Sequence, residues 1–520
     1  MRLDTAQIEG AVGLFHAVGQ IPAVIADVNE ARWLEIAHKA RSQSSRLIAM
    51  WGSEALEGHD SANAAYECED GILWARLATQ RGSHPGGSYP DLAAIFPYAA
   101  RMQRAIFELT GLQARGASDT RPWLNHGNWP ADYFPLQKQA TGTEAFESRE
   151  ADYPFVQVAG DGVHEIAVGP IHAGIIEPGH FRFSVVGEKV LRLEERLGYA
   201  HRGVERLFER TPASGGQRVA GRIAGDSTVA FSWAYCMALE QACGIAVPNR
   251  ALYVRALLLE RERVANHLGD LGALGNDAGF AFGIAQFSRL KEDWIRMNAH
   301  AFAHRYLMDR IVPGGVVVDI RPETVTALLR QCDHIEREVD IMRKIYEDQS
   351  GLQDRFAGAG RLTADVAGHF GVRGMAARAS GHPFDVRAAL QPAPYDEVTV
   401  KAASDSRGDV AARVAVRFAE IDESLRLIRA LMVNLPAGPL AVDMQPATTP
   451  SRGTGWVEGW RGDVFVALEV DAGDVVSRCH CRDPSWQAWP ALEHAIIGNI
   501  VADFPLINKS FNLNYAGHDL

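Results

Sequence analysis

Cysteine is scarce and never paired at metal-binding spacing. The six, Cys68, Cys236, Cys243, Cys332, Cys479 and Cys481, include no CxxC. That is too sparse for a disulfide framework and gives no suitably spaced set for an iron-sulfur cluster. Long apolar runs are missing too. No stretch nears the roughly 18 uninterrupted apolar residues that a spanning helix needs, and the opening MRLDTAQIEGAVGLF carries Asp4 and Glu9 where a leader needs a basic flank and an apolar run. Basic excess is absent: 52 Lys and Arg against 64 Asp and Glu leave a net charge of −12, which argues against nucleic acid or anionic lipid as a partner. No GxSxG, HExxH or GxxxxGK[ST] occurs, and Gly221-Arg222-Ile223-Ala224-Gly225 fits no nucleotide fingerprint. What is present is enough apolar sequence, 47%, to bury a large core, so disorder is excluded as the main state. The expectation is a cytoplasmic protein without a transmembrane segment of its own, meeting a membrane only through partner proteins.

The pattern of elements reads as α+β. Residues 1–145 are expected to form a small α+β domain, 146–160 a linker, and 161–520 a larger, mainly helical bundle with a flanking β-hairpin. After a helical opening, strands are predicted at 46–51 and 71–78, then a turn-rich break at 81–87 and a helix at 96–109, where Ala99, Met102, Ile106 and Leu109 recur at three- and four-residue steps. The Pro- and Trp-rich stretch 121–136 has no regular period. Strands at 164–169 and 181–186 frame a long loop as a hairpin. From 195 to about 429 the pattern is helical, broken at Gly215-Gly216, 312–315 and His382-Pro383, which predicts antiparallel helices. Strand signals return at 455–470, followed by a helix near 489–497.

Three constellations could carry chemistry. Within the predicted helix 249–271, Glu260, Val264, His267 and Leu271 follow helical steps with Arg263 beside them. Buried charges must be paired, so these residues are expected either in a compensated ionic lattice or, alternatively, on a solvated helix edge. The loop from His172 to His180 places two imidazoles and Glu177 within nine residues, bracketed by Gly and Pro; such a loop can bring titrating groups to a cleft, with Glu177 tuned by burial. In Cys479-His480-Cys481 the two thiols alternate on one strand face and could meet one ion, against the plainer reading of buried strand cysteines.

Several blocks together resemble one family: the large subunits of group 4, energy-converting NiFe hydrogenases and the hydrogenase-like large subunit of respiratory complex I. They are Gly169-Pro170-Ile171-His172 with Glu177-Pro178-Gly179-His180-Phe181, then Tyr199-Ala200-His201-Arg202-Gly203-Val204-Glu205, then Glu260, Arg263 and His267. Arg378-Ala379-Ser380-Gly381-His382 with Asp385-Val386-Arg387, and Gly498-Asn499-Ile500-Val501 with Pro505-Leu506-Ile507, complete the series. The block 121–135 resembles the small accessory subunit fused upstream in formate hydrogenlyase-type proteins. Such hydrogenases hold their nickel-iron centre with four cysteines in two CxxC pairs. By the resemblance these positions fall here on Ala224 and Ser227, and on Asn514 and Gly517. Nickel and low-valent iron favour thiolates, which these residues cannot supply, so no metal is expected and hydrogen turnover is not. By the resemblance, an end just past the second lost pair, without the tail that hydrogenases mature by proteolysis, would be expected to go with loss of metal insertion.

Complex I likewise lacks these cysteines and uses the vacated cavity for a quinone headgroup, between a loop histidine and a tyrosine. His172 matches the histidine; the tyrosine falls at or near Gly225, with Tyr235, Asp226 and Tyr515 as substitutes. The resemblance therefore implies an oxidoreductase subunit. It would bind no cofactor except a quinone, take electrons from an iron-sulfur cluster in a small partner subunit, and sit with a ferredoxin-like subunit and antiporter-like membrane subunits on the cytoplasmic side of the inner membrane. His172, Glu177, His180 and Asp226 would act at the site, and Glu260, Arg263, His267, Arg378, Asp385 and Arg387 would pass charge movement toward the membrane. The alternatives are a redox-inactive scaffold, whose cavity Trp233 or Phe231 would fill, and a mononuclear metal site of His172, His180 and Asp226.

Overall fold

The computed structural model describes residues 1–3, 13–54, 60–79, 86–149, 153–173 and 176–520. Most of the predicted break at 81–87, part of the linker, and Gly174 and Ile175 lie outside the described residues. The architecture is α+β, as the pattern of elements implies. The opening, however, is not helical where it is described: Gly13–Ala17 and Ala23–Val28 are strands, and the helix comes later, at Glu30–Ser42. There the Asn29 side chain accepts the Arg32 N–H at 2.9 Å, and Glu30 and the pair Lys39 and Arg41 sit at the dipole ends they suit.

The two strands join Leu47–Glu54, Asp60–Cys68 and Gly71–Thr79 in a five-stranded sheet. Ala23–Val28 runs parallel to Gly71–Thr79; the other pairings are antiparallel. The Ala99–Thr110 helix packs on Leu47–Glu54. This sheet is buried against the rest of the chain: Trp51 stacks on His480 with centroids 5.2 Å apart, and Arg46 pairs with Asp463.

Val163–Val168 and His180–Val186 form the predicted hairpin, and Lys189–Arg196 adds a third strand, so the helical region starts only at Val204–Glu209. The long helices Thr228–Cys243, Asn249–Asp277, Ala281–Phe302, Pro322–Asp348 and Val410–Val433 follow, and the break at 312–315 is a tight two-stranded ribbon. Asn249–Asp277 is the central element, packed against Ala281–Phe302 and Val410–Val433.

A second sheet, Ser451–Glu458, Asp463–Asp471 and Val475–Arg482, carries Thr228–Cys243 across one face. The helix lies so close that a Cβ on Gly455 would meet the Ala234 carbonyl at 1.8 Å, and one on Gly453 would meet the Ala238 carbonyl at 2.0 Å. Glycine there sets the depth of the helix, and so the position of its N-terminus beside Asp226. Cys479 and Cys481 do share a strand face, with sulfurs 3.9 Å apart, but both are sealed in the apolar core. Among the described residues no group of three His, Cys, Asp or Glu side chains is placed to hold a metal ion.

Candidate functional site

The loop between the first two strands of the hairpin closes on itself. The His172 Nε2–H donates to the Gly179 carbonyl at 2.8 Å, and His180 Nδ1 lies 3.3 Å from the Gly169 carbonyl. Both rings are half-buried, and burial lowers the His180 pKa. Glu177 is exposed, so the burial that was to tune it is missing. Its carboxylate instead accepts the Ala516 N–H at 3.0 Å. The loop thus rests on Tyr515 and Ala516, next to the second vacated pair.

The four positions that the resemblance matches to metal ligands are buried, and one guanidinium stands beside Ser227. Arg461 donates 2.7 Å to Asp226 and 3.3 Å to the Ser227 hydroxyl, and its Nε reaches the Asn512 carbonyl. On the other side, the Gly517 N–H donates to Asn514 Oδ1 at 2.7 Å, and a Cβ on Gly517 would meet Asp483 Oδ2 at 2.7 Å. Asp483 is fully buried and that oxygen has no hydrogen-bond partner among the described residues. Burial pushes the Asp483 carboxyl up, with Arg461 opposing. Trp460 and Asn266 both donate to the Asp226 carbonyl, at 2.8 and 2.7 Å, which fixes the loop before Thr228–Cys243. Trp233 and Phe231 lie in the core and do not line this place. Tyr235 does not reach it either: its hydroxyl donates to the Ala213 carbonyl, and its ring stacks on Phe208.

A cleft of about 350 Å³ opens beside Asp226. Ala265, Ile295, Leu307 and Met308 give it apolar walls; Glu262, Asn266, Lys291 and Arg305 are its polar groups. Gly225 is on its wall, and a Cβ there would meet nothing within 4 Å. His172 and His180 are not among the lining residues. The three residues of the mononuclear metal reading are therefore not brought together: both imidazoles are tied to backbone carbonyls and Asp226 to Arg461.

Below the cleft the Asn249–Asp277 helix buries Glu260, Arg263 and His267 in a lattice rather than on a solvated edge. Arg387 donates to both Glu260 oxygens at 2.7 and 2.9 Å, the Tyr395 and Ser424 hydroxyls donate at 2.7 Å each, and Arg263 lies at 3.3 Å. Arg387 also pairs with Asp385 at 2.6 Å; Arg378 donates 2.7 Å to Glu420 and 2.7 Å to Glu458; and His267 Nε2 is 2.8 Å from Glu420. Burial raises the Glu260 carboxyl, but Arg387 and Arg263 more than offset it and hold it below the usual range. Glu458, pressed by burial and by Asp385, is pushed up to about 7.

Residues 277–455 match the family described as respiratory-chain NADH dehydrogenase, 49 Kd subunit, and residues 26–145 the 30 Kd subunit family. Formate hydrogenlyase subunit 5 of Escherichia coli (strain K12) is 30% identical over 92% of this chain and 85% of its own length. The chain belongs to the hydrogenase and complex I large-subunit family. An NADH-quinone oxidoreductase subunit of Bacteroides fragilis (strain YCH46) is 27% identical over 88% of this chain and 89% of its own. A chain in the structure of the membrane-bound sulfane sulfur reductase, an archaeal respiratory membrane complex, superposes with a TM-score of 0.65 at 25% identity, covering 70% of this chain and all of that one. The protein is thus a complex I-like, hydrogenase-related oxidoreductase subunit of a membrane-associated complex. Among the described residues no helix is long and apolar enough to cross a membrane.

The family's nickel-iron centre does not fit the residues at the four positions that the resemblance matches to its ligands. The four positions offer methyl, hydroxyl, carboxamide and hydrogen, Arg461 brings a cation to Ser227, and Asp483 fills the space at Gly517. Glu262, Glu420, Glu458, Arg461 and Asp483 were not anticipated from sequence. Glu262 turns away from the Glu260 stripe, and on a helix buried on all sides no polar face betrays it. Arg461 lies in the charged turn Glu458-Gly459-Trp460-Arg461-Gly462-Asp463 between two strands, the one signal that could have found it.

Proposed function

We propose that this chain is the peripheral-arm subunit at which a membrane complex passes electrons between a partner's iron-sulfur cluster and a quinone-class acceptor, without a NiFe centre. The observation that carries the reading is the cleft beside the vacated site. It has apolar walls for a flat ring, Lys291 and Arg305 as donors for carbonyl oxygens, and open space where Gly225 lacks a side chain. The names of the relatives support it: one is a subunit of an NADH-quinone oxidoreductase, another belongs to a respiratory membrane complex. On this reading the electrons are NAD-linked, the companions are a small iron-sulfur subunit, a ferredoxin-like subunit and antiporter-like membrane subunits, and the assembly faces the cytoplasm. The loop residues His172, Glu177 and His180 handle protons, and the Glu260 lattice transmits charge displacement to the ion-moving module.

The test is Gly225→Leu in the purified complex, because a Cβ there meets nothing within 4 Å and the side chain starts from the cleft wall. Quinone reduction is expected to be lost while every subunit is retained. A second reading, a redox-inactive scaffold, draws on the Asp226–Arg461 pair, which satisfies the vacated site internally. An unchanged rate in Gly225→Leu, or no quinone reduction by the wild-type complex, would favour it.

A further inference from the structure

Glu262 stands apart from the other buried acids of this region. Its carboxylate is almost wholly buried yet lines the cleft, and among the described residues no cation lies within ion-pair distance of it. Its neighbours explain why. Arg263, next on the same helix, is turned into the lattice, toward Glu260, Glu420 and the Glu458 and Gly459 carbonyls. Arg305, on the far wall, is held by Glu292 at 2.7 Å, and Lys291 lines the cleft without pairing with Glu262. The nearest charge on the side of the Thr228–Cys243 helix is Asp226, which repels it. What Glu262 has instead is the backbone: Oε2 accepts the Val229 N–H at 2.7 Å and Oε1 the Ala230 N–H at 3.2 Å. The two contacts are unequal. A protonated carboxyl can keep both contacts, with its carbonyl oxygen on Val229 and its hydroxyl oxygen on the long side, the O–H turned into the cleft that Glu262 lines.

We propose that Glu262 carries a proton in the resting protein and donates it to the acceptor reduced in the cleft, a role that rests on the quinone reading given above. Burial agrees, lifting the carboxyl to about 8 against the pull of the two N–H groups. The step balances as follows. Two electrons from the partner's iron-sulfur cluster and two protons convert the quinone to the hydroquinone. One O–H bond forms on a carbonyl oxygen as the Glu262 O–H breaks; the second proton enters from solvent at the cleft mouth, and Glu262 is then reprotonated by the same route.

The proton and its delivery are tested separately. In the full-length chain, infrared difference spectra from about pH 6 to about pH 10 should show a buried carboxylic acid lost near about pH 8, absent in Glu262→Gln. Gln keeps the acceptor for Val229 and the shape of the side chain. In the complex, with decylubiquinone as probe, Glu262→Gln should lower kcat about a hundredfold with KM nearly unchanged and abolish the alkaline limb of the pH profile, while Glu262→Asp restores part of the rate. A wild-type chain without that band, or a Glu262→Gln complex with wild-type kcat and pH profile, overturns the proposal. A wild-type complex inactive with the probe overturns the acceptor reading and with it the donation step, and the infrared band distinguishes that result from a failure of Glu262 to hold the proton.

Discussion

The lattice around Glu260 and the polar ring around Arg461 are joined by a single turn, residues 458–461, yet they treat charge in opposite ways. In the lattice most carboxylates meet a guanidinium and at least one further donor: Glu260 accepts from Arg387, Arg263, Tyr395 and Ser424, and Asp385 from Arg387. Around Arg461 the compensation is incomplete. Asp226 is paired but its side chain keeps 37% exposure, and among the described residues Asp483 has an oxygen without a hydrogen-bond partner and Glu262 has only backbone donors. Among the described residues the lattice has open atoms too, His267 Nδ1 and an Arg378 Nη without a hydrogen-bond partner, but its named carboxylates all meet a cation, whereas Glu262 meets none. That difference separates what holds the helices together from what can respond to a ligand.

The sharpest way to break this contrast is to remove one cation from each side. Arg387→Met strands Glu260 and Asp385 in the core and should destabilise the chain by about 3–5 kcal/mol in denaturant titrations. A loss below about 1 kcal/mol would mean that the lattice contributes little to stability. Next in size is Gly517→Cys, which restores one lost thiol position but drives its Cβ into Asp483. It should cost about 1–3 kcal/mol by thermal unfolding, whereas Ser227→Cys, where no such overlap exists, should cost less. Equal effects would show that Asp483 moves aside freely and that the vacated site is looser than its hydrogen bonds imply.

The two sides also differ in the sign of their pH dependence. Asp385 is buried, but Arg387 and Arg378 draw its carboxyl down to about 2, so the stability it contributes is present above its unfolded pKa and lost as pH falls toward 2. Glu262 is raised to about 8, so its contribution is complete below its unfolded pKa and is lost as pH rises through 8. Glu262→Gln should therefore flatten the decline between the ordinary carboxyl pKa and about pH 8, by at most about 1.4 kcal/mol per pH unit, and leave the more acid side unchanged. Glu458, pushed up to about 7, and Glu108, lifted by burial to about 7, keep part of that slope.

How much of this was legible follows from the same contrast. The stripe Glu260, Val264, His267, Leu271 could be read because one helix carries it at regular steps, and the helix indeed spans Asn249–Asp277. Its partners Glu420 and Glu458 could not, because they come from an element more than 150 residues away in sequence and from a strand end, and a buried charge in a distant element leaves no local periodicity. The opening was misread because Ala23–Val28 is short and nearly all apolar, a pattern shared by strand and helix. The strand signals at 455–470 concealed a hairpin whose turn supplies Trp460 and Arg461. Missing thiols could be seen in the sequence; what replaced them required three dimensions.

The smallest structural effect is expected in the loop above both regions. His172 contributes one hydrogen bond, from a half-buried ring, to the Gly179 carbonyl. Among the described residues the loop has other ties: the Gly179 N–H to the Pro170 carbonyl at 3.1 Å, His180 Nδ1 to the Gly169 carbonyl and Glu177 to the Ala516 N–H. His172→Ala should therefore cost only about 0.5–1.5 kcal/mol in denaturant titrations, well short of Arg387→Met. Its effect on turnover should be the larger share of its phenotype. The loop rests on Tyr515 and Ala516, so releasing it frees the C-terminal segment that carries Asn514 and Gly517 while the lattice stays intact. A His172→Ala complex that keeps all its subunits but reduces quinone more slowly would place the loop with the responsive region. An unchanged rate with the same small loss of stability would make the loop a passive part of the hairpin, and would confine function to the groups around Asp226 and Glu262.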